Sequence, residues 1–82
     1  MKHDLKTWIE FYQRIFTGQK NFEVRKNDRN FMVGDVLCLK EWDNEKQELT
    51  GRSLFRRITY ILEGGQFGVE QGYCVMGLTA SV

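Results

Sequence analysis

Gly18-Gln19-Lys20-Asn21-Phe22-Glu23-Val24-Arg25 is the stretch on which the fold turns, because the hydrophobic period changes across it. Upstream, Trp8, Phe11, Tyr12, Ile15 and Phe16 recur at helical spacing and form one apolar stripe, with Glu10, Gln13 and Arg14 turned outward. Thr7-Trp8-Ile9-Glu10 fits a capping box, with Thr7 as the N-cap and Glu10 reaching back to the Thr7 amide. Gly18 stands where a left-handed C-terminal cap is wanted. The spacing therefore predicts a helix over about residues 8–17. Downstream, Phe22 and Val24 alternate with Asn21, Glu23 and Arg25, the period of a half-buried strand.

Beyond this corner the pattern stays extended. Asn27-Asp28-Arg29-Asn30 reads as a polar turn, and Val33-Gly34-Asp35 as a second turn that launches Val36-Leu37-Cys38-Leu39. A charged segment, Asp43 to Glu48, separates that strand from another over Arg52 to Leu62 and is placed beside an edge of the sheet. The longer strand has apolar residues on both parities, as expected of one buried on two sides or crossing a barrel. Glu63 to Gly68 is a glycine-rich loop, and Tyr73 to Leu78 the last strand. One early helix followed by four or five short antiparallel strands is an α+β pattern. So small a sheet must close on itself or lean on the helix to hide its edges, which a small barrel with the helix plugging one end achieves.

Composition sets the outer limits. Eighty-two residues, 41% hydrophobic and 28% charged, make an ordinary globular chain and one domain over residues 1–82. Two Trp, three Tyr and six Phe supply enough buried area for a small core to form without staples. No apolar run is long enough to span a bilayer, and Met1-Lys2-His3-Asp4 does not open a signal peptide, so no membrane partner is expected. With only two cysteines, well separated, and one histidine, no metal is expected either. Cys38 and Cys74 read as small buried hydrophobes in a reducing cytoplasm. His3 has no partner visible by spacing. A net charge of +1 confines any polyanion site to a local patch.

The residues that point to chemistry lie in the opening stretch. On a strand Glu23 and Arg25 share a face, opposite Phe22 and Val24, and Lys20 stands at the strand's mouth near the helix C-terminus. Two cations and a carboxylate converging there can hold an anion and accept from a base amino group; the competing reading is an exposed ion pair of little consequence. Lys26 and Arg29, with Arg52, Arg56 and Arg57, form a second basic layer if they share one rim. The alternative is a solvated rim paired with Glu41, Asp43 and Glu45. Trp8, Tyr12 and Tyr73 read first as core and second as stacking platforms, whereas Phe67, on its glycine-rich loop, reads equally as a ligand cover or a hydrophobic plug.

Gly-x-Lys-x-x-Glu-x-Arg between a helix and a strand resembles the signature of ASCH domains, members of the PUA-like β-barrel superfamily. His3-Asp4-Leu5-Lys6, Phe22 to Arg29, Val33 to Leu37 and Thr59 to Gly68 extend the likeness to the small bacterial and phage family DUF3850, over about residues 3–78. The resemblance implies an antiparallel barrel of five or six strands with an N-terminal helix over one opening. It also implies RNA or modified-nucleobase recognition in a cleft between helix and barrel, lined by Lys20, Glu23 and Arg25, with no cofactor. Some ASCH proteins are amidohydrolases acting on N4-acylated cytidine, through a threonine three positions after the motif lysine. Glu23 occupies that position, leaving it and Lys20 as the candidate catalytic pair and Glu70 as the only counterpart of a late glutamate. A protein-interaction domain with no nucleotide ligand is the third reading.

Overall fold

The computed structural model describes all 82 residues. The elements are β1 (Lys2–Trp8), α1 (Ile9–Phe16), β2 (Phe22–Lys26), β3 (Val36–Asp43), β4 (Glu48–Glu63) and β5 (Tyr73–Thr79). They form one five-stranded sheet in the order β1-β3-β4-β5-β2, curled into a half-barrel with α1 packed over β1 and β3. The fold is α+β, as expected, but the sheet is not wholly antiparallel. β1, a strand missed in the sequence pattern, pairs in parallel with β3, His3 opposite Leu37 and Leu5 opposite Leu39. The long connection through α1 and β2 is what permits that direction.

β1 escaped notice because its inward side is chemically unusual. Burial alternates strictly along it, but the inward residues are His3, Leu5 and Thr7, and only one of these is apolar. The polar two are buried because distant residues satisfy them: His3 meets Asp35, and Thr7 meets Arg25. Employing Thr7 inside the sheet also undoes the expected capping box. Trp8 is the N-cap of α1, and no side chain caps it. The expected C-terminal turn does form, with Gly18 at φ +84° and the Lys20 amide donating to Arg14 O.

β4 is the spine of the sheet. Its first half pairs with β3 and its second half with β5, the two halves meeting at Arg57–Ile58 beside a bulge. That division explains its apolar residues on both parities: Leu54 and Ile58 enter the core, while Phe55 and Tyr60 remain outside. The core gathers Leu37, Leu39, Leu54, Ile58 and Met76 from the sheet against Tyr12 and Ile15 of α1. Trp8, Phe11 and Phe16 of the same stripe stay exposed, because an eight-residue helix on a half-barrel buries only one narrow face. The charged segment proves to be the β3–β4 hairpin, its turn fixed by Asp43 Oδ1 accepting from the amides of Glu45 and Lys46. The true edges are β1 and β2. Gly64 is needed where the loop after β4 folds back: a Cβ there would lie 2.6 Å from Tyr73 O. Cys38 and Cys74 are both buried free thiols, and burial pushes the Cys74 thiol above its ordinary pKa, helped by the nearby Glu63 charge.

Candidate functional site in the seam between the edge strands

The half-barrel leaves a seam between β1 and β2, and arginine side chains bridge it where backbone hydrogen bonds would close a full barrel. Arg25 Nη2 donates across it to Lys6 O at 2.7 Å and to Thr7 Oγ1 at 3.2 Å. Nearer the other end of β1, Arg29 Nη1 donates to Asp4 O. These bonds occupy carbonyls of an edge strand that would otherwise be open to pairing.

Above Arg25 the seam widens into a cleft of about 410 Å³ beneath the first turn of α1. Lys6, Thr7 and Trp8 form one wall, Phe11 the roof, and Lys20, Glu23, Val24 and Arg25 the floor and far wall. Trp8 and Phe11 lie almost parallel, with ring planes 22° apart and centroids 6.3 Å apart. The cleft therefore has a flat aromatic lip.

Its floor is a tight triad. Lys20 Nζ donates to Glu23 Oε1, and Arg25 Nε to Glu23 Oε2, both at 2.7 Å. Glu23 is 3% exposed, so β2 is half-buried with the parity opposite to that expected. Phe22 and Val24 face outward, and the charged side faces in. Two cations make that inversion tolerable, since a buried carboxylate must be paired and hydrogen-bonded. Lys20 has a second bond, to Phe22 O, and its ammonium lies 4.9 Å from the Phe22 ring centroid.

The other sequence candidates are dispersed. Phe67 is 87% exposed and does not line the cleft. Tyr73 borders a separate depression with Val24 and Val75, and Tyr12 belongs to the core. The basic layer divides among three tasks. Arg29 seals β1, Arg56 donates to Ile15 O at the end of α1, and Arg57 donates to Gly34 O. Arg52 lies over the rings of Tyr12 and Phe16 with Glu41 3.9 Å away, while Lys26 is exposed. Lys6, Thr7 and Phe11 are cleft residues that sequence reasoning did not single out. Phe11 sat within the apolar stripe, but Lys6 and Thr7 required knowledge of β1.

His3, expected to stand alone, is buried with a partner. Its Nε2 donates to Asp35 Oδ2 at 2.8 Å, and its ring meets Phe31 edge-on. Asp35 also accepts from the Met32 amide and from the Met1 ammonium. The His3 bond, with help from those donors, outweighs burial and lowers the Asp35 pKa from 3.8 to about 2. No group of three His, Cys, Asp or Glu side chains is arranged to hold a metal ion, and no helix is long and apolar enough to cross a membrane.

The chain is 36% identical over 61 residues to an uncharacterised 12.9 kDa protein from the GpA 3′ region of Escherichia phage P2. The match covers 74% of the chain and 54% of that phage protein, so the chain spans about half the length of its relative. The family model for the domain of unknown function DUF3850 matches residues 2–78, a span that takes in β1, the triad of the cleft and all but the last residue of β5. The chain belongs to the DUF3850 family.

Proposed function

We propose that the cleft binds a nucleobase, carried by single-stranded RNA or a free nucleotide, and that the half-barrel with its helical roof is an ASCH domain of the PUA-like kind working in the cytoplasm. The observation that carries this reading is the hydrogen-bonding capacity left over in the triad. Each Glu23 oxygen accepts one bond and retains room for another. Lys20 has a third proton to offer, and Arg25 Nη1 makes no bond within the protein. A carboxylate acceptor beside a cationic donor complements a base edge that sets an exocyclic amine next to a ring acceptor, as the N4 amine and N3 of cytosine do. The Trp8–Phe11 lip supplies a surface for stacking.

A hydrolytic role on N4-acylated cytidine fits the same residues less well. Glu23 would have to serve as general base, but each of its oxygens already accepts a bond from a cation at 2.7 Å, so a lone pair on each is engaged in holding Lys20 and Arg25. The hydroxyl in the cleft, Thr7, meets a guanidinium rather than a base.

Tryptophan fluorescence tests the binding reading, with Trp42→Phe isolating the signal of Trp8. Cytidine monophosphate should quench it and uridine monophosphate should do so less well. Glu23→Gln should weaken the cytidine complex by about tenfold or more, as removal of one base-specifying hydrogen bond does. Absence of quenching by any nucleotide or by single-stranded RNA would end the proposal.

A further inference from the structure

The outer face of β1, β3 and β4 has a chemistry that the cleft does not explain. Opposite the buried His3, Leu5 and Thr7, strand β1 presents Lys2, Lys6 and Trp8 outward, and β3 presents Lys40 and Trp42. Cations and rings are interleaved there. Lys6 Nζ lies 4.2 Å from the Trp42 ring centroid, and Lys2 Nζ lies 5.7 Å from that of Phe55 on β4. Phe55 is 46% exposed. The acidic member of this part of β1 is Asp4, loosely opposed to Lys40 at 3.9 Å. A chain of net charge +1 thus concentrates three lysines and three rings on one sheet face.

This face is continuous with the cleft. Lys6 and Trp8 line the cleft, and Trp42 is the register partner of Trp8. Resting on the nucleobase reading of the cleft, we propose that the outer face is a second binding surface, which carries the nucleotides flanking the bound base in single-stranded RNA. The lysines would meet phosphates while Trp42 and Phe55 stack unpaired bases, the combination by which sheet surfaces hold single strands. Charge complementarity favours a polyanion here, and the rings favour one with accessible base faces. A duplex has none to offer.

The test measures equilibrium binding of a labelled 10-nucleotide single-stranded RNA, its duplex and cytidine monophosphate across a salt series. Lys2→Ala with Lys40→Ala should flatten the salt dependence of RNA binding, by about 0.7 in log–log slope for each phosphate no longer neutralised, and leave the mononucleotide unaffected. Phe55→Ala should weaken RNA binding by roughly tenfold, and the lysine pair provides an independent readout should that variant fold poorly. Unchanged RNA affinity and slope in both variants, with mononucleotide binding intact, would overturn the outer surface and leave the cleft standing. RNA binding that responds to these variants, with neither mononucleotide binding nor quenching of Trp8 by the RNA, would support the surface and overturn the cleft. A duplex bound as tightly as the single strand would overturn the stacking role.

Discussion

Glu23 and Asp35 are two buried carboxylates serving opposite ends of the same strand. Asp35 holds the start of β1 through His3, and Glu23 orients the Arg25 that holds its end through Lys6 O and Thr7. Both satisfy the demand that a carboxylate removed from water be met by donors. The difference lies in what surrounds them. The donors to Asp35 are the buried His3 ring, edge-on to Phe31, the Met32 amide and the exposed Met1 ammonium, and Asp35 is not among the residues lining the cleft. Glu23 lies on the floor of an open cleft, and its partners retain unused protons. One arrangement is spent on holding the fold, whereas the other has capacity left for a ligand.

The largest test of that contrast is Asp35→Ala. Breaking a buried, hydrogen-bonded pair should destabilise the protein by about 3 kcal/mol. For a domain of this size that lowers Tm by roughly 12–24 °C. Affinity per folded molecule, measured well below the new Tm, should not change. If nucleotide binding collapsed along with stability, the two carboxylates would not be functionally separate.

Acid should separate them next. The folded-state pKa of Asp35 lies below its ordinary value, so its stabilising contribution is fully present above about pH 3.8 and fades as pH falls towards about 2. Denaturant unfolding should show the wild type losing stability over this window, while Asp35→Asn, already lacking the contribution, responds more weakly there. Parallel profiles would mean that the His3–Asp35 bond contributes nothing to the acid limb.

Glu23→Gln should reverse the balance seen at Asp35, costing about 1–2 kcal/mol of stability while removing most of the ligand affinity. Lys20 and Arg25 keep some access to water, which softens the removal of their shared partner. Chemical denaturation and nucleotide titration on the same sample give both quantities. A stability loss as large as that of Asp35→Ala would make Glu23 chiefly a structural residue.

What could be read from sequence follows the same division. Helix α1, the strands after it and the meeting of Lys20, Glu23 and Arg25 were legible because local period and spacing encode them. β1 was not, because His3 and Thr7 look like surface residues until Asp35 and Arg25 arrive from 32 and 18 positions away. The inverted parity of β2 was hidden for a related reason. Alternation reveals that a strand has two faces, but which face turns inward depends on tertiary ion pairs. Arg29, Arg56 and Arg57 looked like one basic rim, yet each is engaged by a different distant carbonyl, of Asp4, Ile15 and Gly34.

Thr7→Val is the smallest change that touches the seam itself. It keeps the branched shape and strand preference of the residue but deletes the hydroxyl that accepts from Arg25 at 3.2 Å. Arg25 keeps its bond to Lys6 O and its ion pair with Glu23, so its guanidinium remains held on two sides. The global cost should be only about 0.5–1.5 kcal/mol, that of one hydrogen bond. The sharper consequence is local. If Arg25 latches β1 to β2, amides near Lys6 and Trp8 should exchange with solvent faster in the variant, while those near His3, held by Asp35, should not. Acceleration equal at both ends of β1 would show that the strand opens as one unit, and that the seam has no separate latch.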